Sequence, residues 1–132
     1  MECHHRVAVV TGGMSQAVTE SCSAAKGGIL ALPHALSISL AGRARVNAIS
    51  PGWIDTSGDP SALTASDRLQ HLFDRVGQTQ DIVNLVFFLC SEKSGFITGE
   101  NIRVDGGMLK QMIYHGDHGW TYQPSEHNGH SI

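Results

Sequence analysis

Three short runs rich in β-branched residues, Arg6-Val-Ala-Val-Val-Thr11, Arg45-Val-Asn-Ala-Ile49 and Asn101-Ile-Arg-Val104, are each closed by a glycine turn. The turns are Gly12-Gly13, Ser50-Pro51-Gly52 and Asp105-Gly106-Gly107. Short apolar runs bounded in this way read as buried strands. Between the first two, Ile29, Leu32, Leu36 and Leu40 recur at spacings of three and four, which predicts a helix from Glu20 to about Gly42. Pro33 lies inside that pattern and cannot donate to the preceding turn, so a kink is expected there. Asp55 to about Gln78 mixes Gly, Pro, Ser and Asp and reads as a surface excursion with one or two helical turns. Thr79 then serves as an N-cap with Asp81 in the first turn, and Ile82, Leu85, Val86 and Leu89 form the buried stripe of a second main helix.

Strand, helix, strand, helix, strand is two consecutive βαβ units, which specifies an α/β fold with a minimal three-stranded parallel sheet. Such a sheet needs cover on both faces. Two helices that cross over in the same sense lie on one face, so the other face of Val7, Val9, Val46, Ile49, Ile102 and Val104 is expected to be bare in a monomer. Another subunit would cover it, making the chain a homo-oligomer with Leu32, Leu36 and Leu40 or Leu85 and Leu89 near the contact.

The chain has 132 residues, 41 % of them hydrophobic, which suits one α/β domain over residues 1–114 and a polar, His-rich tail over 115–132. Nine Lys and Arg against 12 Asp and Glu leave a formal charge of −3, so no basic footprint exists and nucleic acid is not an expected partner. The longest apolar stretches, such as Ile29–Leu32 and Leu85–Cys90, fall far short of the ~20 residues of a membrane span. With no charged-then-apolar leader, a cytoplasmic protein is expected. Cys3, Cys22 and Cys90 are odd in number and lack a C-x-x-C spacing, which argues for reduced thiols over a disulfide framework or zinc ribbon.

Eight histidines invite a metal reading. His115-Gly-Asp117-His118 carries an H-x-D-H spacing found within metallohydrolase motifs, and Cys3-His4-His5 offers further ligands. A full motif needs another histidine pair just upstream, where Ile113 and Tyr114 stand, so the segment is read as a surface tail and no metal site is assigned. His34 and His71 are expected to be exposed or hydrogen-bonded.

Ser23-Ala-Ala-Lys26-Gly-Gly, Arg45-Val-Asn-Ala-Ile-Ser-Pro51-Gly52-Trp-Ile-Asp-Thr56 and Phe96-Ile-Thr-Gly99 through Val104-Asp105-Gly106-Gly107 together resemble the C-terminal half of the short-chain dehydrogenase/reductase family. Order and spacing both match, from about Glu20 to about Tyr122. Arg6 to Gly13 separately resembles the family's first strand and the opening of its glycine-rich turn, while the segment between that turn and the catalytic helix is absent. The resemblance implies a truncated Rossmann-like βαβαβ fold, an NAD(P) cofactor and a small alcohol or carbonyl substrate.

It also assigns residues. Gly12 and Gly13 correspond to the turn whose backbone N–H groups meet the pyrophosphate, but the later glycines of that turn fall on Gln16 and Val18. Pro51, Gly52, the Ile54 backbone and the Thr56 hydroxyl correspond to the turn that holds the nicotinamide carboxamide. The family's catalytic pair is Tyr-x-x-x-Lys, in which the ammonium lowers the phenol's pKa from ~10 so that it can exchange a proton with the carbinol. Lys26 is kept, Cys22 stands in the tyrosine's place, and Ser15 is a displaced counterpart of the carbonyl-polarising serine. A thiol is shorter than a phenol by most of a ring and does not reach the same point.

The leading expectation is therefore an oxidoreductase frame impaired as an enzyme, with NAD(P) binding weak or lost. A hydrolase of esters or lactones is the second reading, with Cys22 beside Lys26 as nucleophile or a metal-activated water. A helix N-terminus and a lysine one turn away would both favour that thiolate. The third reading is a non-catalytic oligomeric module.

Overall fold

The computed structural model describes the backbone of residues 6–11 and 20–111, and the side chains of 20–111 except Cys22 and Gln111. The elements run β1 (Arg6–Thr11), α1 (Glu20–Ser39), β2 (Ala44–Pro51), β3 (Ile54–Asp55), α2 (Ala65–Leu69), β4 (Gly77–Gln78), α3 (Thr79–Cys90), β5 (Asn101–Val104) and α4 (Met108–Gln111). Short 3-10 turns occupy Pro60–Ala62 and Glu92–Ser94. β1, β2 and β5 form a parallel sheet with β2 in the middle, as the three β-branched runs predict. A second pair, β3 with β4, is parallel as well and joins the two ends of the 55–78 excursion. Two residues per strand are too few to register as sequence periodicity.

α1 runs unbroken through Pro33, which is fully buried against the core. Its inward line is Lys26, Ile29, Leu30, Pro33, Leu36, Ser37 and Leu40, spaced at three and four. Leu32 flanks this line beside Ile29 and Leu36 and is exposed. The helix ends at Ser39; Gly42 at φ 73° turns the chain into β2, and the Arg43 guanidinium donates to the Ser39 carbonyl at 2.6 Å. α3 starts at Thr79 with Gln78 as its N-cap, one residue earlier than the composition suggests, because the Asp81 carboxylate takes the Gln78 N–H at 2.8 Å.

The expected bare sheet face does not exist on β2. Val46, Asn47, Ala48, Ile49 and Ser50 are all buried, and successive strand residues point to opposite faces, so this chain alone covers both. On the Arg45 and Asn47 side the cover is the end of α3 and the segment after it. The Arg45 guanidinium donates to the carbonyls of Leu89 (2.7 Å), Ser94 (2.9 Å), Ile97 (3.3 Å) and Ser91 (3.4 Å). The Asn47 amide donates to the Ile97 carbonyl and accepts from the Glu100 N–H. α1 also packs on β2, and since both faces of the strand are buried and the other side is met by the end of α3, it is assigned to the Val46 and Ala48 side. The excursion from Asp55 to Gln78 is long enough to carry α3 around the edge of the sheet, so the two main helices take opposite faces. Leu89, expected near a subunit contact, is fully buried in this core instead.

Among the described residues no helix is long and apolar enough to cross a membrane, and no group of three His, Cys, Asp or Glu is placed to hold a metal. The His115-Gly-Asp117-His118 and Cys3-His4-His5 segments, and the tail over 115–132, lie outside the described residues.

Candidate functional site

Open parallel sheets present ligands at the carboxyl ends of their strands. Here β2 ends at Pro51 and β5 at Val104, and the two turns that follow lock together. The Gly52 N–H donates to the Val104 carbonyl at 2.9 Å. A Cβ on Gly52 would stand 2.6 Å from Asp105 Cβ and 2.8 Å from its Cα, so no other residue fits without moving backbone. The Asp105 carboxylate accepts from the N–H groups of Gly107 (2.9 Å) and Leu109 (3.3 Å), holding Gly106 and Gly107 at positive φ and starting α4. The Leu72 N–H donates to the Gly106 carbonyl, tying the excursion to the same turn.

α2 is fixed by a capping box in which Thr64 and Asp67 exchange side-chain to backbone hydrogen bonds. Two residues past it, His71 is 3 % exposed and lies 3.1 Å through Nδ1 from the Asp67 carbonyl. A carbonyl only accepts, so Nδ1 carries a proton and donates to it. Nε2 is buried with no partner. The imidazole packs by Trp53, with ring centroids 6.3 Å apart. Composition suggested a simple exposed or hydrogen-bonded histidine; the Nδ1 contact agrees, and the orphaned Nε2 had no signal in sequence.

Between these turns and the start of α3 lies a pocket of about 270 Å³, walled by Trp53, Ile54, Phe73, Arg75, Gly106 and Asn84 among others. Arg75 and Asp81 close one end of it as a two-pronged ion pair at 2.7 and 2.8 Å. The Arg75 guanidinium, then the Gln78 N–H, hold the Asp81 carboxyl down at about 2. A carboxyl with a lowered folded pKa stabilises fully above its unfolded value near ~3.9 and loses that contribution as pH falls toward 2. Thermal unfolding followed from pH 5 to pH 2 should therefore lose stability less steeply in Asp81→Asn than in the parent, and the variant should already be about 1 kcal/mol less stable at pH 7. On the excursion, Ser57 and Ser61 hydroxyl and N–H donors lower the Asp55 and Asp59 carboxyls in the same manner.

Of the residues singled out from sequence, Pro51, Gly52 and Ile54 form the turn just described, and only Ile54 lines the pocket. Thr56 is exposed beyond β3. Lys26 is half-buried on the inward line of α1 and pairs with no carboxylate among the described residues. Cys22 lies one helical turn before it on the backbone of α1; its side chain is outside the description. Gly12, Gly13 and Ser15 lie outside the described residues.

Residues 6–109 match the family model of short-chain alcohol dehydrogenase type described as enoyl-(acyl carrier protein) reductase. An uncharacterized oxidoreductase of Thermotoga maritima is 48 % identical over 109 residues, covering 76 % of this chain and 43 % of its own length. The solved apo SCOR enzyme from Clostridium thermocellum superposes with a TM-score of 0.72 at 42 % identity, over 90 % of this chain and 48 % of its own. A 4-hydroxyisoleucine dehydrogenase complexed with NADH gives a TM-score of 0.65 at 28 % identity, over 79 % and 46 %. The chain spans less than half the length of each of these relatives.

Proposed function

Because the chain belongs to the short-chain dehydrogenase/reductase family, we propose that it carries the frame of a nicotinamide-dependent oxidoreductase but is impaired as one. The observation that carries this reading is the Cys22 to Lys26 spacing on α1. Lys26 sits on the inward line of the helix with no carboxylate to neutralise it among the described residues, ready to lower the pKa of a neighbour. The neighbour one turn earlier is a cysteine where the family has its tyrosine. Gln16 and Val18 stand where the family's pyrophosphate turn has its later glycines, which argues against a cradle for the cofactor's adenosine half. No hydride step is assigned to these residues.

A cofactor-dependence assay tests the reading. Neither the parent nor Cys22→Tyr should turn over NAD(P)H with a panel of secondary alcohols and ketones, because restoring the phenol leaves the dinucleotide cradle unbuilt. Turnover by the parent above the buffer rate would overturn it. The same cysteine separates the hydrolase reading: a working thiolate at Cys22 alkylates at pH 7 faster than Cys90, which is half-buried at the end of α3, and slows in Lys26→Met. Equal, slow labelling of both leaves Cys22 a packing residue.

The chain is further proposed to self-associate through α1, whose exposed side carries Leu32 (44 % exposed) and Ile38 (67 %) with no charge between Gly27 and Gly42 other than His34. Sedimentation equilibrium should give a dimer at micromolar concentration and a monomer for Ile38→Glu; a monomeric parent would contradict it.

A further inference from the structure

In the sheet order β1-β2-β5, β1 has β2 on one side, and among the described residues no strand pairs with its other edge. In a parallel pair every second residue of a strand turns its N–H and C=O away from the neighbour, so β1 holds a row of such groups along that edge. Native proteins blunt an edge of this kind with a charge, a proline or brevity. β5, at the far side of the sheet, is four residues long and carries Arg103. β1 is six residues long, Arg6-Val-Ala-Val-Val-Thr11, with its one charge at the first position and neither proline nor glycine. It is a template for one more strand.

The occupant that the fold favours is the β1 of a second copy. A twofold axis that joins two identical edges antiparallel stands perpendicular to the sheet, so each face continues into the same face of the partner. Either Ala8 or Val9 then lies opposite its own copy, and Arg6 does not; a parallel pairing in register would set Arg6 against Arg6. α1 packs on β2 and β1, the two strands it connects. Strands stand ~4.8 Å apart, so a helix over that pair meets its twofold mate at roughly 10 Å, the spacing of packed helices. The same operation thus brings together the two α1 helices, on which Leu32 and Ile38 are exposed. Two three-stranded sheets become one continuous sheet in the order β5-β2-β1-β1-β2-β5, the size of an ordinary doubly wound sheet.

We propose, on the reading that the chain self-associates, that the dimer forms by antiparallel pairing of β1 with the β1 of a second copy, α1 lying beside its mate on one face of the joined sheet. Amide hydrogen exchange of the ¹⁵N-labelled chain, followed by NMR at a concentration where sedimentation gives a dimer, tests it. In the parent, the Val7, Ala8, Val9 and Val10 amides should all exchange slowly. Ile38→Glu changes α1 and leaves the β1–β2 ladder in place. In that monomeric variant every second one of these amides should exchange about tenfold faster or more, while the others keep their bond to β2. A dimeric parent whose alternate β1 amides exchange as fast as in monomeric Ile38→Glu would overturn the edge pairing and leave the α1 contact standing. An Ile38→Glu chain that stays dimeric with all four amides slow would do the reverse. A monomeric parent would overturn both. Slow exchange of all four amides in the monomeric variant would overturn the proposal as well, and would put another segment of the same chain on the edge.

Discussion

Replacing Arg45 with methionine should lower the thermal midpoint by roughly 10 °C, the largest loss expected from any single substitution on the sheet. Methionine keeps the length and apolar stem of the side chain, so the loss reports the guanidinium. That group spreads its donors over the carbonyls of Leu89, Ser91, Ser94 and Ile97, where α3 ends and the chain turns back toward β5. Those carbonyls belong to a helix terminus, a 3-10 turn and the loop after it, where partners inside a helix run out. Charged hydrogen bonds of this kind contribute about 1.5–3 kcal/mol each and do not add, which puts the variant at about 3 kcal/mol. Arg45→Lys should recover only part of it, because one ammonium is a point charge and cannot fan over four carbonyls. Differential scanning calorimetry checks both; a midpoint within 2–3 °C of the parent for Arg45→Met would show the clamp to be incidental.

Much of this was readable from the chain. The three β-branched runs and their glycine stops located the sheet, and the 3.6-residue spacing located α1 and α3, because local periodicity is set by which face is buried. Arg45 itself was a missed signal: a charged residue heading a strand that is otherwise buried needs a dense set of acceptors, and only elements outside the sheet could supply them. The second covered face was not legible. Two successive crossovers of the usual hand put both helices on one face, whereas the 55–78 excursion between β2 and α3 has its own capping box at Thr64 and Asp67 and its own strand pair. Pairings such as Gly52 against Asp105, or His71 behind Trp53, join residues far apart in sequence and leave no local pattern. For the site, the motif gave the turn at Pro51–Thr56 and the lysine of α1, but the pocket beside that turn is made by Phe73, Arg75 and Asn84, which no motif includes.

The second large effect is on the cofactor. In a complete dinucleotide fold, the pyrophosphate is held by backbone N–H groups at a helix N-terminus and the ribose by an acidic residue further on. Here only eight residues, Gly12 to Thr19, separate β1 from α1, with Gln16 and Val18 where the turn's later glycines belong, too short a stretch of sequence to hold both the family's first helix and the second strand that carries the acid. Under the proposed function, what is kept, Gly52 seated on Asp105 and Ile54 beside it, corresponds only to the turn at the carboxamide end. A micromolar dinucleotide complex corresponds to about 8 kcal/mol and a millimolar one to about 4, and removing the pyrophosphate and ribose contacts accounts for a difference of that size.

Isothermal titration of the chain with NADH and with NADPH measures this directly. The account predicts no saturable heat below about 1 mM for either cofactor, in the parent and in Cys22→Tyr alike. Saturable binding at micromolar concentration would contradict it, and would mean that the residues between β1 and α1, alone or with a second copy of the chain, rebuild the dinucleotide cradle.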